Sequence, residues 1–293
     1  MRSDVARYEL VSPKTLDLAL AMLAKESGAV RPIAGGTDLM VLLAAGKLEH
    51  TRWINLWGLN ELRGIEESAQ HITLGALTTY TDVQSHATLR REFPMLCQAG
   101  SETGGVAIQN RGTLGGNIVN ASPAADSPPA LLAYGAEIEI ASTNGARWIA
   151  YDGFHTDYKK MGLAPTELVT RIRLPRSFAT RVHHYRKVGP RKAQAISKVC
   201  FAGCAEIVDG KVREVRIALG GVAPTIPRCK ATERALRDDG IGADGLARAK
   251  AMLAREISPI DDVRSNARYR RRVAENLLDD FVLRIRGDVG LGS

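Results

Sequence analysis

Apolar positions along the chain change period twice. Leu16, Ala19, Leu20 and Leu23 fall on one helical stripe, with Ser12 as its expected cap, Pro13 at its first position and Gly28 as its stop. The mainly apolar stretch at 30–34 reads as a strand. It enters the turn Gly35-Gly36-Thr37-Asp38, after which Leu39, Leu42 and Leu43 start a second helical stripe. Residues 53–56 read as the next strand, so the opening of the chain alternates strand and helix and predicts a small parallel sheet.

Beyond about residue 58 shorter strands dominate. Strands are expected at 71–77, 137–141, 147–151 and 168–174, with helices at 81–86 and 95–102 and a hairpin around Thr143-Asn144-Gly145. A third section opens near residue 177. There, Asp209-Gly210 joins strands 201–208 and 212–220, Pro224 and Pro227 break the chain, and helices are expected at 231–237, 245–257 and 263–286. The last of these carries Tyr269, Val273, Leu277, Phe281 and Ile285 as its expected buried face. Residues 104–130 (GGVAIQNRGTLGGNIVNASPAADSPPA) hold too much Gly, Asn, Ser and Pro for a regular helix or strand and are expected to form an ordered loop. Asp126 then caps a short helix with Pro128 and Pro129 in its first turn.

Composition narrows the class. The 293 residues are 45% hydrophobic and 25% charged, which excludes a disordered chain. No apolar run nears the roughly 20 residues that span a bilayer, and the N-terminus lacks an apolar leader, so no membrane association is expected. Four cysteines without a CxxC pair make neither a disulfide scaffold nor a metal site; Cys200 and Cys204 are expected as buried apolar residues, and a cytoplasmic setting follows as the default. The net charge of +8 could suit nucleic acid. Part of that surplus is Arg264, Arg268, Arg270, Arg271 and Arg272, expected on a solvated or subunit-facing helix surface, so nucleic-acid binding is not expected. His183 and His184 would face opposite sides of a strand with no companion ligand, and His155 reads as structural. No GxSxG elbow is present.

Two glycine turns remain: residues 35–38, and Gly112-Thr113-Leu114-Gly115-Gly116-Asn117. Glycine lets backbone amides converge, and convergent amides bind phosphate. Thr37, Thr113 and Asn117 would add side-chain donors. Neither turn is GxGxxG or GxxxxGK[ST], so a Rossmann site and a Walker NTPase are unsupported. Spacing leaves two readings open: ordinary turns, or two cradles for a ligand with two phosphates and a long body, a dinucleotide.

The stretches AGGTDL (34–39), RGTLGGNIVNASPAADSPPALLAYGAEIEI (111–140), GFHT (153–156), TELV (166–169) and YRKVGPRKAQAISKV (185–199) resemble the flavoprotein, or medium, subunits of the molybdenum hydroxylases. That family includes xanthine, carbon monoxide and nicotinate dehydrogenases. The resemblance implies an α+β architecture: a two-subdomain FAD-binding fold of the vanillyl-alcohol-oxidase type over 1–176 (subdomains about 1–58 and 59–176), then a C-terminal domain of antiparallel strands and helices over 177–293. It further implies one FAD, bound non-covalently since neither loop holds a histidine. By resemblance Arg31, Pro32, Ile33, Ala34, Gly35, Gly36, Thr37 and Asp38 form the first pyrophosphate loop, and Gly112, Thr113, Leu114, Gly115, Gly116 and Asn117 the second. Asn120 and Asp126 reach toward the cofactor, Leu168 offers a backbone contact near the flavin, and Lys187 (or Arg186, one residue of register away) a basic group at the isoalloxazine end.

The implied partners are a large molybdopterin-binding subunit and a small subunit with iron–sulfur (2Fe-2S) clusters, in a dimer of heterotrimers. The implied role is to take electrons from those clusters and pass them through FAD to NAD+ or another acceptor. No catalytic residue and no metal are expected on this chain itself. Two rival readings are a free-standing flavin-dependent oxidoreductase of the same fold, and a basic interaction module built on the last helix.

Overall fold

A computed structural model describes residues 5–178 and 181–288. The opening unit comprises β1 (Glu9–Val11), α1 (Leu16–Lys25), β2 (Arg31–Ile33), α2 (Leu39–Ala44) and β3 (Arg52–Asn55). Its strands form an all-parallel sheet in the order β1-β3-β2, as the alternation predicts. Ala19, Leu20 and Leu23 of α1 pack in one cluster with Ile54, Leu56, Leu59 and Leu62. The cap of α1 is Thr15 rather than Ser12, its hydroxyl oxygen accepting from the Leu18 amide at 3.2 Å. The Ser12 hydroxyl is instead the acceptor for the Asn55 side-chain amide at 3.1 Å, which ties the chain before the helix to β3.

The central unit holds β4 (Ile65–Glu67), β5 (His71–Gly75), α3 (Tyr80–Ser85), α4 (Ala87–Glu92), α5 (Pro94–Glu102), α6 (Val106–Gln109), α7 (Leu114–Val119) and α8 (Ser127–Ala133). It continues with β6 (Glu137–Ser142), β7 (Gly145–Ala150), β8 (His155–Asp157), β9 (Lys160–Met161) and β10 (Leu168–Pro175). Five of its strands make an antiparallel sheet, β4-β5-β10-β6-β7. Alternate residues Ile72, Leu74, Ile138, Ile140, Ile172 and Leu174 share a core with Tyr80, Leu96, Leu114 and Leu131 of the helices. Residues 104–130 differ from the expected loop, because α6 and α7 are helical. For α7 the cost of two glycines is offset from outside the helix: the Thr113 hydroxyl caps the Gly116 amide, and the Thr78 and Ala76 carbonyls accept from Leu114 and Gly115.

The C-terminal unit is a meander of β11 (Val182–Val188), β12 (Val199–Val208) and β13 (Lys211–Gly220), followed by α9 (Lys230–Asp238), α10 (Ala243–Glu256) and α11 (Ala267–Asp288). Asp209 (φ +51°) and Gly210 (φ +73°) make the expected left-handed hairpin turn. One set of sheet residues, Phe201, Ile217 and Leu219, packs on Leu236, Leu253, Leu278 and Phe281 of the helices. The other set, Cys200, Ala202, Cys204 and Ala218, joins the central core beneath Leu131 and Leu132 of α8. This sheet is therefore covered on both faces.

Two expectations for the last helix are corrected. It begins at Ala267, whose amide the Asp261 carboxylate takes at 2.6 Å, so Tyr269 falls on the exposed side. Arg270 is not part of a solvated arginine surface: it is buried, donating to the Gly221 carbonyl at 2.7 Å and to both Asp262 oxygens at 2.8 Å. Among the described residues no helix is long and apolar enough to cross a membrane.

Candidate cofactor site

The two glycine turns meet. The second is stitched to the segment after β5 by an isolated bridge, Thr79 to Thr113, with the Tyr80 amide donating to the Gly112 carbonyl at 3.3 Å. The first turn leaves the carboxyl end of β2 and lies against the second so closely that a Cβ on Gly35 would stand 1.7 Å from the Arg111 carbonyl oxygen. Gly36 is left-handed, φ +73°.

The turns differ in what they offer. The amides of Gly35, Gly36, Thr37, Asp38 and Leu39 donate to no group among the described residues. Those of the second turn, apart from Thr113, are already committed: Gly112 to the Ile108 carbonyl, Leu114 to Thr78, Gly115 to Ala76, Gly116 to the Thr113 hydroxyl and Asn117 to the Thr113 carbonyl. Its glycines serve close packing instead, since a Cβ on Gly115 would meet Ala76 Cβ at 2.7 Å and one on Gly116 the Thr113 hydroxyl at 2.8 Å. The picture of two equivalent amide cradles thus becomes one amide-rich turn laid against one glycine-narrowed wall. Such a run of free amides suits a phosphate group.

Around this junction stands a polar chain that sequence reading missed in part. The Asn120 side-chain amide donates to the Asp38 carboxylate. The ammonium of Lys159, in the turn between β8 and β9, donates to the Asn120 carbonyl at 2.5 Å and its Oδ1 at 2.9 Å. His155 in the same hairpin lies with Nε2 2.8 Å from the Ile118 carbonyl oxygen, a structural role as expected. Lys159 sits in no glycine motif, so only the fold reveals it. Trp57 is a second missed residue. It follows β3 at the carboxyl edge of the parallel sheet, with the Arg111 guanidinium 3.8 Å and that of Arg63 4.5 Å from its ring centre.

A second group lies deeper. Asp126 begins α8 but makes no side-chain cap; its carboxylate accepts from Lys187 Nζ at 2.7 Å and from the Ser197 hydroxyl at 2.6 Å. Lys187 also donates to the Glu102 carbonyl at 2.7 Å. Burial pushes the Asp126 carboxyl up, opposed by Lys187 and then by Ser197. Arg186, its neighbour on β11, is exposed. Asn117 links the two groups, its Oδ1 accepting from the Ser127 hydroxyl at 2.7 Å. Leu168 is buried at the start of β10, paired with Ala141.

His183 and His184 stand apart from both groups. Tyr134 OH lies 3.3 Å from His183 Nδ1, and burial pushes that imidazole down to about 4. His184 stacks on Phe281 with ring centres 6.1 Å apart. No cluster of three or more His, Cys, Asp or Glu suited to a metal exists among the described residues.

Known proteins share both sequence and fold with this chain. Residues 6–177 match the family model described as the FAD binding domain in molybdopterin dehydrogenase, and residues 184–285 match the CO dehydrogenase flavoprotein C-terminal domain. The xanthine dehydrogenase FAD-binding subunit of Escherichia coli O157:H7 is 30% identical over 277 residues, 94% of each chain. The carbon monoxide dehydrogenase medium chain of Hydrogenophaga pseudoflava is 26% identical over 93% of this chain and 94% of its own length. Among solved structures, carbon monoxide dehydrogenase from Hydrogenophaga pseudoflava superposes with a TM-score of 0.90 at 27% identity, over 94% of this chain and 95% of that one.

Proposed function

The chain belongs to the family of FAD-binding medium subunits of molybdenum-dependent xanthine and carbon monoxide dehydrogenases, and from that premise we propose that it is the flavin outlet of a three-subunit complex. Its partners would be a large molybdopterin-binding subunit and a small iron–sulfur subunit, assembled as a dimer of heterotrimers. Bound FAD supplies chemistry that accepts single electrons from clusters and can deliver two to NAD+ or another acceptor.

The residues of this chain bind and orient. The free amides of residues 35–39 would take the diphosphate, and the wall formed by Gly112, Thr113, Leu114, Gly115 and Gly116 would fix its depth. The side-chain amide of Asn117, together with Asn120, Asp38 and the segment from Arg31 to Ala34, would complete that end. Asp126, Lys187 and the Leu168 backbone would form the buried, polar end toward the flavin ring. No acid or base on this chain is assigned a step, since electron passage needs none of them to exchange a proton with an organic substrate.

The observation that carries the reading is the run of uncommitted amides in the first turn, pressed against the glycine wall of the second. Recovery of the chain from its native cells tests the assembly. The expected result is two stoichiometric partners, one with molybdenum and one with iron, and bleaching of the flavin when the organic substrate of the complex is added anaerobically. A chain recovered alone, with a flavin that only its own substrate reduces, would favour the free-standing flavoenzyme.

A further inference from the structure

The β8–β9 hairpin is pinned to the end of α7 at two places, His155 on the Ile118 carbonyl and Lys159 on Asn120. Lys159 holds a left-handed backbone, φ +57°, which for a residue with a Cβ costs energy and which here aims its side chain at the glycine junction. Its ammonium has three N–H donors. Two are spent on the carbonyl and Oδ1 of Asn120, and the third has no acceptor among the described residues. Through Asn120 the ammonium is two hydrogen bonds from Asp38, next to the uncommitted amides. That places a cation where the Asp38 carboxylate would otherwise repel an anion. Of the basic residues that border the two turns, Arg31 donates through Nε to His50 at 3.1 Å, and Arg111 lays its guanidinium over Trp57.

We propose that Lys159 is a further ligand of the dinucleotide's diphosphate, delivered by the β8–β9 hairpin and held in place by Asn120. This rests on the reading of the glycine junction as the diphosphate site. It gives the hairpin a binding role that no glycine motif signals. The ammonium would add one charge-assisted hydrogen bond to those of the backbone amides.

The test titrates the purified apoprotein with FAD and with riboflavin, which lacks phosphate, following flavin fluorescence. Lys159→Asn removes the charge and tolerates the left-handed backbone; Lys159→Arg keeps the charge. The expected result is FAD binding weakened about tenfold or more in Lys159→Asn, with most affinity kept in Lys159→Arg. Riboflavin affinity should stay unchanged, and the dependence of FAD affinity on salt should become shallower in Lys159→Asn. Wild-type protein that binds no FAD would refute the site itself. Wild-type binding with Lys159→Asn equally tight, or with an unaltered salt dependence, would overturn the role of Lys159 alone.

Discussion

Asp126 and Lys187, 61 residues apart in sequence, meet at 2.7 Å in a buried ion pair that joins the start of α8 to strand β11. The pair bridges the central unit and the C-terminal sheet, and it is completed by Ser197 and the Glu102 carbonyl. Removing one partner leaves a buried charge uncompensated, which costs about 3–5 kcal/mol. Lys187→Met should therefore destabilise the protein by that order in urea unfolding. The double variant Asp126→Asn with Lys187→Met should recover a large part of the loss. Equal losses in the single and double variants would show that the pair itself contributes little.

The relation of sequence to structure differs from residue to residue. The parallel opening sheet and the Asp209-Gly210 hairpin were legible because periodicity and turn chemistry are local. The cap of α1 was not, since Ser12 is drawn away by Asn55, a partner 43 residues distant. Helix α7 was hidden for the same reason: its support comes from Ala76 and Thr78, across the fold. At the site, the glycine turns stood out as motifs, but which amides remain free depends on tertiary hydrogen bonds. Lys159 and Trp57 carried no local signal at all. Arg270 was misplaced because charge argues for exposure unless a partner such as Asp262 is brought alongside.

Gly35 should be intolerant of any side chain. A Cβ there would overlap the Arg111 carbonyl at 1.7 Å, so Gly35→Ala must push the two turns apart. We expect FAD affinity to fall at least a hundredfold while the apoprotein loses about 1–3 kcal/mol. Gly58→Ala, where a Cβ meets nothing within 4 Å, is the matched control and should keep wild-type affinity. Equilibrium dialysis against FAD measures both. Normal binding by Gly35→Ala would contradict the close approach of the turns.

Acid should weaken the fold through His183. Burial holds its imidazole down at about 4, against an ordinary value of 6.5, so between these values the unfolded chain binds the extra proton. Stability is thus fully present above about pH 6.5 and falls as pH drops toward 4, by an amount on the order of 2 kcal/mol at pH 4.5. His184, also pushed down by burial, acts in the same direction. Thermal unfolding from pH 7.5 to 4.5 measures the slope, and His183→Gln should flatten it. An identical slope in that variant would assign the effect elsewhere.

The central claim is that the two glycine turns hold one FAD. Its most direct test is the visible spectrum of the gently purified chain, followed by identification of the chromophore released on heat denaturation. The predicted result is a yellow protein with about one FAD per chain, released intact because the attachment is non-covalent. A colourless protein that also fails to take up added FAD would contradict it.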